Sequence, residues 1–316
     1  MNKMKTAVVI PAYKVADKIK DVILSIPEEI EHIIVVDDKC PESSGAEAVK
    51  LNDKRVTVLY HDRNTGVGGA VVTGYRKAVE LGCDVVVKVD GDGQMDVKYL
   101  PALIAPILCG EADYTKGNRF MDFRALKMMP AVRLFGNSIL SFLVKMASGY
   151  WNIIDPTNGY TAISRGVLDK LNPGRLSKRY FFESDMLIHL NIINAVVKDV
   201  NIPARYGNEK SSLSIPKIIV QFPPKLIQGF VKRVFLKYYV YDFNMASVYI
   251  LVGLPMFTFG FVLGVLEWLD SLIYGTAKPA GTIMLVALPI IVSFQMLLQA
   301  ISIDISSIPR KMDNRG

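Results

Sequence analysis

The sequence contains little cysteine and histidine, with three residues of each among 316. Cys40, Cys83 and Cys109 are too few and too scattered for a disulfide framework or a zinc site, and the histidines lack metal-ligand spacing. Residues 1–6 lead into a strand without the long apolar stretch of a signal peptide. No stretch combines basic with stacking aromatic residues, so nucleic acid is not the expected partner despite the net charge of +7.

Charged residues are absent from two long stretches near the C-terminus, residues 246–266 and 280–303. At about 1.5 Å per residue, each stretch can cross a hydrocarbon core of about 30 Å. We therefore predict transmembrane helices at about 246–269 and 280–303, each kinked by one proline that does not prevent insertion. They form a hairpin, because only a short link joins them.

Basic residues flank this hairpin on both outer sides. They are Lys232, Arg233 and Lys237 before it and Arg310, Lys311 and Arg315 after it. The link has only Lys278 against two carboxylates. The positive-inside rule therefore predicts that residues 1 to about 240 and both termini lie in the cytoplasm, on the inner face of the cell membrane.

The preceding part of the chain alternates strands and helices, which predicts an α/β fold with a parallel sheet. The predicted strands are residues 6–10, 33–36, 56–60 and 85–89, with a last strand at 201–204. Ligands bind at the carboxyl ends of such strands. The first strand is followed by Pro11-Ala12-Tyr13-Lys14 and not by a glycine fingerprint, which disfavours a nicotinamide enzyme.

The fourth strand ends in a cluster of carboxylates. Asp90 and Asp92 share one face of an extended segment, and Gln94 continues that face with a neutral oxygen. Such oxygens suit Mg²⁺ or Mn²⁺ that also binds substrate phosphates. The alternative is a solvated acidic turn, which is common for an isolated triplet of this kind.

Four segments in order resemble the family-2 glycosyltransferases, which have the GT-A fold. They are VVIPAYK from Val8, IIVVDD from Ile33, NTGVGGAVVTG from Asn64 and DGDGQ from Asp90. The resemblance implies a nucleotide-diphospho-sugar donor linked to UDP or GDP. The donor-binding residues expected from it are Pro11, Ala12, Tyr13, Asp37, Asp38, Asn64, Gly66, Gly69, Lys88 and Asp90. For Asp37 or Asp38 the alternative is capping of the next helix.

The form DxDxQ is similar to that of dolichol-phosphate mannose synthase and the bacterial polyprenyl-phosphate glycosyltransferases. Residues 116–120 and 155–160 correspond to two further segments of these enzymes, although Thr161 stands where they usually have arginine. The resemblance implies catalytic roles for Asp92, Asp155, Asp185 and Arg119. Phosphate-binding roles follow for Arg119, Arg133 and Lys210. Salt-bridged surface arginines and a helix cap at Asp185 are the alternatives.

Three regions are predicted: a cytoplasmic catalytic domain (1–212), an amphipathic juxtamembrane segment (213–245) interrupted at Pro223-Pro224, and the hairpin with a short tail (246–316). Residues 125–148 are predicted to form a basic amphipathic helix or pair of helices, either interfacial or core-facing. The expected reaction is inverting transfer of a sugar to a polyprenyl phosphate in the bilayer.

Two alternatives remain for the function. The sugar acceptor is a hydroxyl of a lipid-linked glycan or polysaccharide, or the chain is an inactive membrane scaffold or nucleotide-sugar sensor. A homo-oligomer is left as a further alternative for the assembly. A separate flippase is expected if the product is used outside, because two helices are too few to move a lipid-linked sugar.

Overall fold

A computed structural model describes residues 4–120, 131–203 and 215–311 of the chain. The chain divides into two compact units. The first comprises Met1–Arg233 with Pro309–Gly316, and the second comprises Val234–Ile308.

The first unit is built on a seven-stranded sheet of order β3-β2-β1-β4-β6-β5-β7. The strands are β1 (Thr6–Ala12), β2 (His32–Asp37), β3 (Val56–Tyr60), β4 (Val85–Lys88), β5 (Tyr114–Asn118), β6 (Thr161–Ser164) and β7 (Val197–Asn201). Strands β1 to β4 are parallel as predicted, but β6 is antiparallel to both neighbours. Strand β6 begins at the sheet edge where β5 ends, and there the Gly117 amide donates a hydrogen bond to Tyr160 O. Strand β6 therefore runs in the opposite direction to β5.

The last strand begins earlier than predicted, at Val197 instead of residue 201. The sequence pattern does not predict the start of this strand, because Lys198 and Asp199 are polar and break the apolar pattern of the other strands. Pairing with β5 in parallel register, Tyr114 opposite Val197, fixes its position.

Helices cover both faces of the sheet and then lead to the second unit. They are α1 (Ile19–Ser25), α2 (Ser44–Val49), α3 (Val67–Glu80), α4 (Leu100–Leu108), α5 (Ala131–Ser148), α6 (Arg165–Lys170), α7 (Phe182–Ile192), α8 (Ile215–Phe235), α9 (Met245–Tyr274) and α10 (Ala280–Ser306). Short 3₁₀ turns occupy Val97–Tyr99 and Pro173–Arg175, and a π-helical stretch occupies Leu236–Tyr241.

Strand β4 lies at the centre of the core. Val85, Val86 and Val87 are fully buried, and burying one such side chain contributes roughly 1.5 to 3 kcal/mol. The next residue, Lys88, is equally buried although it is charged. A buried ammonium group needs nearby carboxylates, so the strand carries a functional side chain on a rigid base.

Helix α8 continues through Pro223 and Pro224, so the predicted interruption is wrong. Each proline removes a helical hydrogen bond. Packing offsets this loss, because Phe222 and Leu226 are buried and this part of α8 lines an apolar cavity together with Leu143 of α5.

In the second unit, α9 and α10 pack against each other as a helical hairpin. Both are long and apolar enough to span a membrane, and both contain a proline. A Cβ on Gly260 would lie 2.9 Å from Ile290, and one on Gly264 would lie 2.8 Å from Val286. Small residues thus let the helices approach closely, as is common between transmembrane helices.

Candidate active site

The carboxyl ends of β1, β2 and β4 lie side by side, because these parallel strands are hydrogen-bonded neighbours. Asp37 at the end of β2 is in register with Ala12 of β1, next to Pro11. Tyr13 follows and is exposed. The three predicted residues after the first strand are therefore at the same edge as Asp37.

Asp37 and Asp38 both have buried side chains at this edge of the sheet, and both accept hydrogen bonds from backbone amides. Asp37 accepts hydrogen bonds from the amides of Cys40 and Gly45, each at 2.7 Å. Asp38 accepts from the amides of Thr65 and Gly66 at 2.8 and 2.7 Å. Burial alone raises the pKa of Asp38, but these bonds and His61 hold that pKa below its ordinary value.

The glycine segment before α3 is shaped by the protein's own chain. Gly66 has φ +90°, and a Cβ there would lie 2.6 Å from Lys178 O. A Cβ on Gly69 would collide with the Thr65 hydroxyl. Asn64 donates its amide to Asp38 O at 3.2 Å. The small residues thus allow residues 177–179 and Thr65 to pack closely against α3.

Asp90 and Asp92 follow β4 directly. The Gln94 amide donates to Asp92 Oδ1 at 3.0 Å, in a turn where Gly93 has φ +74°. Burial raises the pKa of Asp92, and the charge of Asp90 raises it further. Two carboxylates that repel each other fit a divalent cation, which in proteins is often held by one or two carboxylates and substrate phosphates.

Among the described residues, no group of three His, Cys, Asp or Glu side chains could hold a metal ion. Close packing explains the glycine at position 91, because a Cβ there would lie 3.0 Å from Val15.

Lys88 lies between two carboxylates. Its Nζ is 2.8 Å from Asp90 Oδ1 and 3.2 Å from Glu183 Oε1, and it also donates to Gly159 O. Burial alone lowers the pKa of Lys88, but the two carboxylates raise it above its ordinary value. The lysine therefore stays charged.

Glu183 was missed by the sequence interpretation, which chose Asp185 on the same helix. The signal in the sequence was Lys88 itself, because a lysine inside a buried valine strand needs nearby carboxylate partners.

Arg119 and Asp155 form a two-pronged ion pair. Arg119 Nε donates to Asp155 Oδ2 at 2.7 Å and Nη2 donates to Oδ1 at 3.1 Å. Asp155 is fully buried, whereas 42% of the Arg119 side chain is exposed. The buried aspartate thus holds one edge of the guanidinium group of a half-exposed arginine.

Asp185 is engaged away from this pair. Its Oδ2 accepts from the Ser177 amide at 2.7 Å, and His189 Nδ1 lies 3.4 Å from Oδ1. Burial alone raises the pKa of Asp185, but His189 and Ser177 lower it overall. Of the other predicted residues, the Arg133 side chain and Lys210 lie outside the described part of the chain.

The mixed seven-stranded sheet, with two carboxylates following β4, agrees with the GT-A fold that the sequence predicts. A sequence model of glycosyl transferase family 2 matches residues 7–171, just over half of the chain. The chain therefore belongs to this family. Its members generally depend on a divalent cation.

Two relatives show how far the similarity extends. UDP-N-acetylglucosamine--dolichyl-phosphate N-acetylglucosaminyltransferase of Methanococcus voltae is 32% identical over 212 residues, covering 61% of this chain and 84% of the relative. Polyprenol monophosphomannose synthase of Mycolicibacterium smegmatis is 28% identical over 216 residues, covering 66% and 80%.

A solved structure of a mycobacterial protein agrees in fold, with a TM-score of 0.54 at 20% identity over 73% of this chain and 74% of the other. The predicted family, fold class and enzyme class are confirmed.

Proposed function

We propose that this glycosyltransferase moves a sugar from a UDP- or GDP-linked donor to a polyprenyl phosphate at the cytoplasmic face of the membrane. Two relatives are named for transfer to dolichyl phosphate and for polyprenol monophosphomannose synthesis, which supports this acceptor class. The two helices that are long and apolar enough to span a membrane support a lipid acceptor as well.

The observation that carries the proposal is that both candidate bases are already engaged. Asp155 holds Arg119, and Asp185 holds the Ser177 amide and contacts His189. A hydroxyl acceptor requires a base to remove its proton. A phosphate monoester has a second pKa of about 6 and is largely ionised near neutral pH. The occupied carboxylates therefore favour the phosphate.

In the proposed reaction, an oxygen of the acceptor phosphate attacks the anomeric carbon of the donor sugar. The bond to the nucleoside diphosphate breaks, and the configuration inverts. Arg119, oriented by Asp155, binds the acceptor phosphate, because a guanidinium group forms charge-assisted hydrogen bonds with phosphate oxygens. Asp90 and Asp92, with Gln94, would hold Mg²⁺ or Mn²⁺, which when bound supplies positive charge to stabilise the departing diphosphate.

The test uses the full chain in detergent with radiolabelled nucleotide-sugars and undecaprenyl or dolichyl phosphate. We expect a labelled lipid that forms with metal and not with the Asp92→Ala variant. Its acid lability and the donor consumed would name the linkage and the sugar. Donor binding without lipid product, together with transfer to a lipid-linked glycan, would move the acceptor to a hydroxyl. No turnover with any acceptor would support the scaffold alternative.

A further inference from the structure

Lys88 and Asp90 form an ion pair beside the candidate cation ligands. Lys88 Nζ lies 2.8 Å from Asp90 Oδ1, and the two side chains are 2% and 32% exposed. A divalent cation on Asp90 competes with the ammonium group for the same carboxylate, and the two positive charges repel each other. Cation binding at Asp90 therefore weakens its ion pair with Lys88.

Lys88 has no room to move into solvent when this ion pair weakens. Its side chain is 2% exposed. A Cβ on Gly159 would collide with Lys88 Nζ, so the backbone of this segment packs closely against the ammonium group. A buried charge that loses its partner is strongly destabilising. Lys88 therefore needs a second carboxylate that stays beside it when Asp90 binds a cation.

Glu183 supplies this second carboxylate from α7. Its Oε1 lies 3.2 Å from Lys88 Nζ, and Gly159 O accepts a hydrogen bond from the same Nζ at 3.2 Å. The neighbouring residues Phe182 and Ser184 are 1% and 2% exposed. The first turn of α7 is therefore anchored in the core, and it holds Glu183 beside β4.

Glu183 does not complete a metal site with Asp90 and Asp92. Within residues 4–120, 131–203 and 215–311, no three His, Cys, Asp or Glu side chains could together hold a metal ion. The Glu183 side chain is also less accessible than that of Asp90, with 14% exposed against 32%. An effect of Glu183 on the cation is therefore transmitted through Lys88.

We propose that Glu183 is a positioning residue, which holds Lys88 when Asp90 turns from this lysine to the divalent cation. Asp90 then exchanges one positive partner for another, while Lys88 keeps Glu183 and Gly159 O. The inference rests on the proposed function only in taking Asp90 as a cation ligand. It adds a residue outside the DxDxQ segment that sets the affinity for the cation.

The test measures the Kd for Mn²⁺ on the full chain in detergent, by electron paramagnetic resonance of the free ion, alone and with UDP or GDP. Glu183→Gln keeps the shape of the side chain but removes its charge, so Lys88 retains only Asp90 of its two carboxylate neighbours. We expect the Kd to rise at least about tenfold, because Mn²⁺ binding then leaves a buried ammonium group uncompensated.

Glu111→Gln is the matched control, since it removes one negative charge from the exposed Lys198–Glu111 pair at 2.9 Å. It should change the Kd for Mn²⁺ less than about twofold, because salt screens exposed charges.

A double-mutant cycle shows whether Glu183 acts through Lys88. In the Lys88→Met background, Glu183→Gln should change the Kd less than about twofold, because no ammonium group remains for Glu183 to hold. The double variant also lacks both buried charges, so its folding does not depend on the pair.

Two results would overturn the proposal. One is an unchanged Kd in Glu183→Gln, and the other is an equal rise in Kd with and without Lys88, which would show that Glu183 attracts the cation directly. If thermal unfolding shows that Glu183→Gln is not folded, Glu183→Asp replaces it, and a Kd equal to that of the wild type would then contradict the proposal. Sugar transfer is not measured, so a failure of the proposed reaction leaves the binding result unaffected.

Discussion

At the scale of single residues, the candidate active site is held together mainly by pairs of opposite charges that are buried. Lys88 and Asp155 are buried almost completely, and each has an opposite charge within 2.8 Å. Removing one partner of such a pair is costly because the other charge is left uncompensated. Substitutions that keep the shape but remove the charge therefore probe function most directly.

Asp155→Asn should reduce kcat/KM for the lipid acceptor about 10-fold to 100-fold, because a charged hydrogen bond is worth about 1.5 to 3 kcal/mol. The KM for the nucleotide-sugar should stay unchanged. Initial rates with each substrate varied in turn provide the check.

Asp169→Asn is the matched control, since it breaks the exposed Arg165–Asp169 pair at 2.8 Å and should leave both constants unaltered. A rise in the donor KM of Asp155→Asn, with the acceptor constants intact, would contradict the assignment.

Asp199 predicts a pH effect on stability. Burial raises its pKa from 3.8 to about 6, and its Oδ1 has no hydrogen-bond partner among the described residues. The folded state keeps this proton longer than the unfolded chain does, so stability falls as the pH rises from about 4 to about 6.

Asp199→Asn removes this dependence, because the amide does not titrate. Near pH 7 the variant should be more stable than the wild type by about 3 kcal/mol, and near pH 4 the two should be nearly equal. Thermal unfolding in detergent at several pH values measures this. The same difference at every pH would show that Asp199 does not titrate in this range.

At the scale of elements, the end of α5 is joined to α8 by one arginine. Arg233 is fully buried, and its Nε and Nη2 donate to Ala147 O at 2.9 Å and Met146 O at 3.1 Å. These are carbonyl groups that a helix end leaves without helical partners. The guanidinium group also suits the negative end of the helix dipole.

The absence of a side chain at Gly149 leaves room for the Arg233 guanidinium group. It has φ +75°, and a Cβ there would lie 2.6 Å from Arg233 Nη1. Gly149→Ala should therefore destabilise the first unit by about 2 to 4 kcal/mol, from backbone strain and overpacking together.

Gly110→Ala is the control, because Gly110 has φ +71° but a Cβ there would meet no other atom within 4 Å. It should cost only the backbone contribution, about 1 to 2 kcal/mol. Equal melting temperatures of the two variants would refute a packing role for Gly149.

At the scale of the whole molecule, the chain leaves the first unit, forms the helical hairpin and returns. Lys311 Nζ lies 2.7 Å from Asp113 Oδ1, and Pro309–Gly316 belongs to the first unit. From the charge pattern of the sequence, we expect both outer ends of the hairpin on the same side of a membrane.

This topology predicts that only the link between the helices is accessible from outside. In intact cells, a membrane-impermeant thiol reagent should label Thr276→Cys and fail to label Gly316→Cys. The native cysteines should not react either, since all three precede the hairpin. Labelling of Gly316→Cys from outside would place the tail on the other side.

The sequence by itself determined the features that are local along the chain. Each of these features is contained in one strand, one helix or one short segment. They are the buried valine strand with its acidic end, the four family segments and the two apolar stretches. Hydrophobic patterning and chain length suffice to interpret such features. The positions of β6 and β7 and the continuity of α8 were not accessible in this way, because strand pairing and helix packing decided them.

Only the tertiary structure decided which distant charges meet. Lys88 and Glu183 are 95 residues apart in the sequence, and Arg119 and Asp155 are 36 residues apart. The sequence supplied each of these residue types but not their partners. A buried charge is stable only beside a compensating group, and the fold brings the two together.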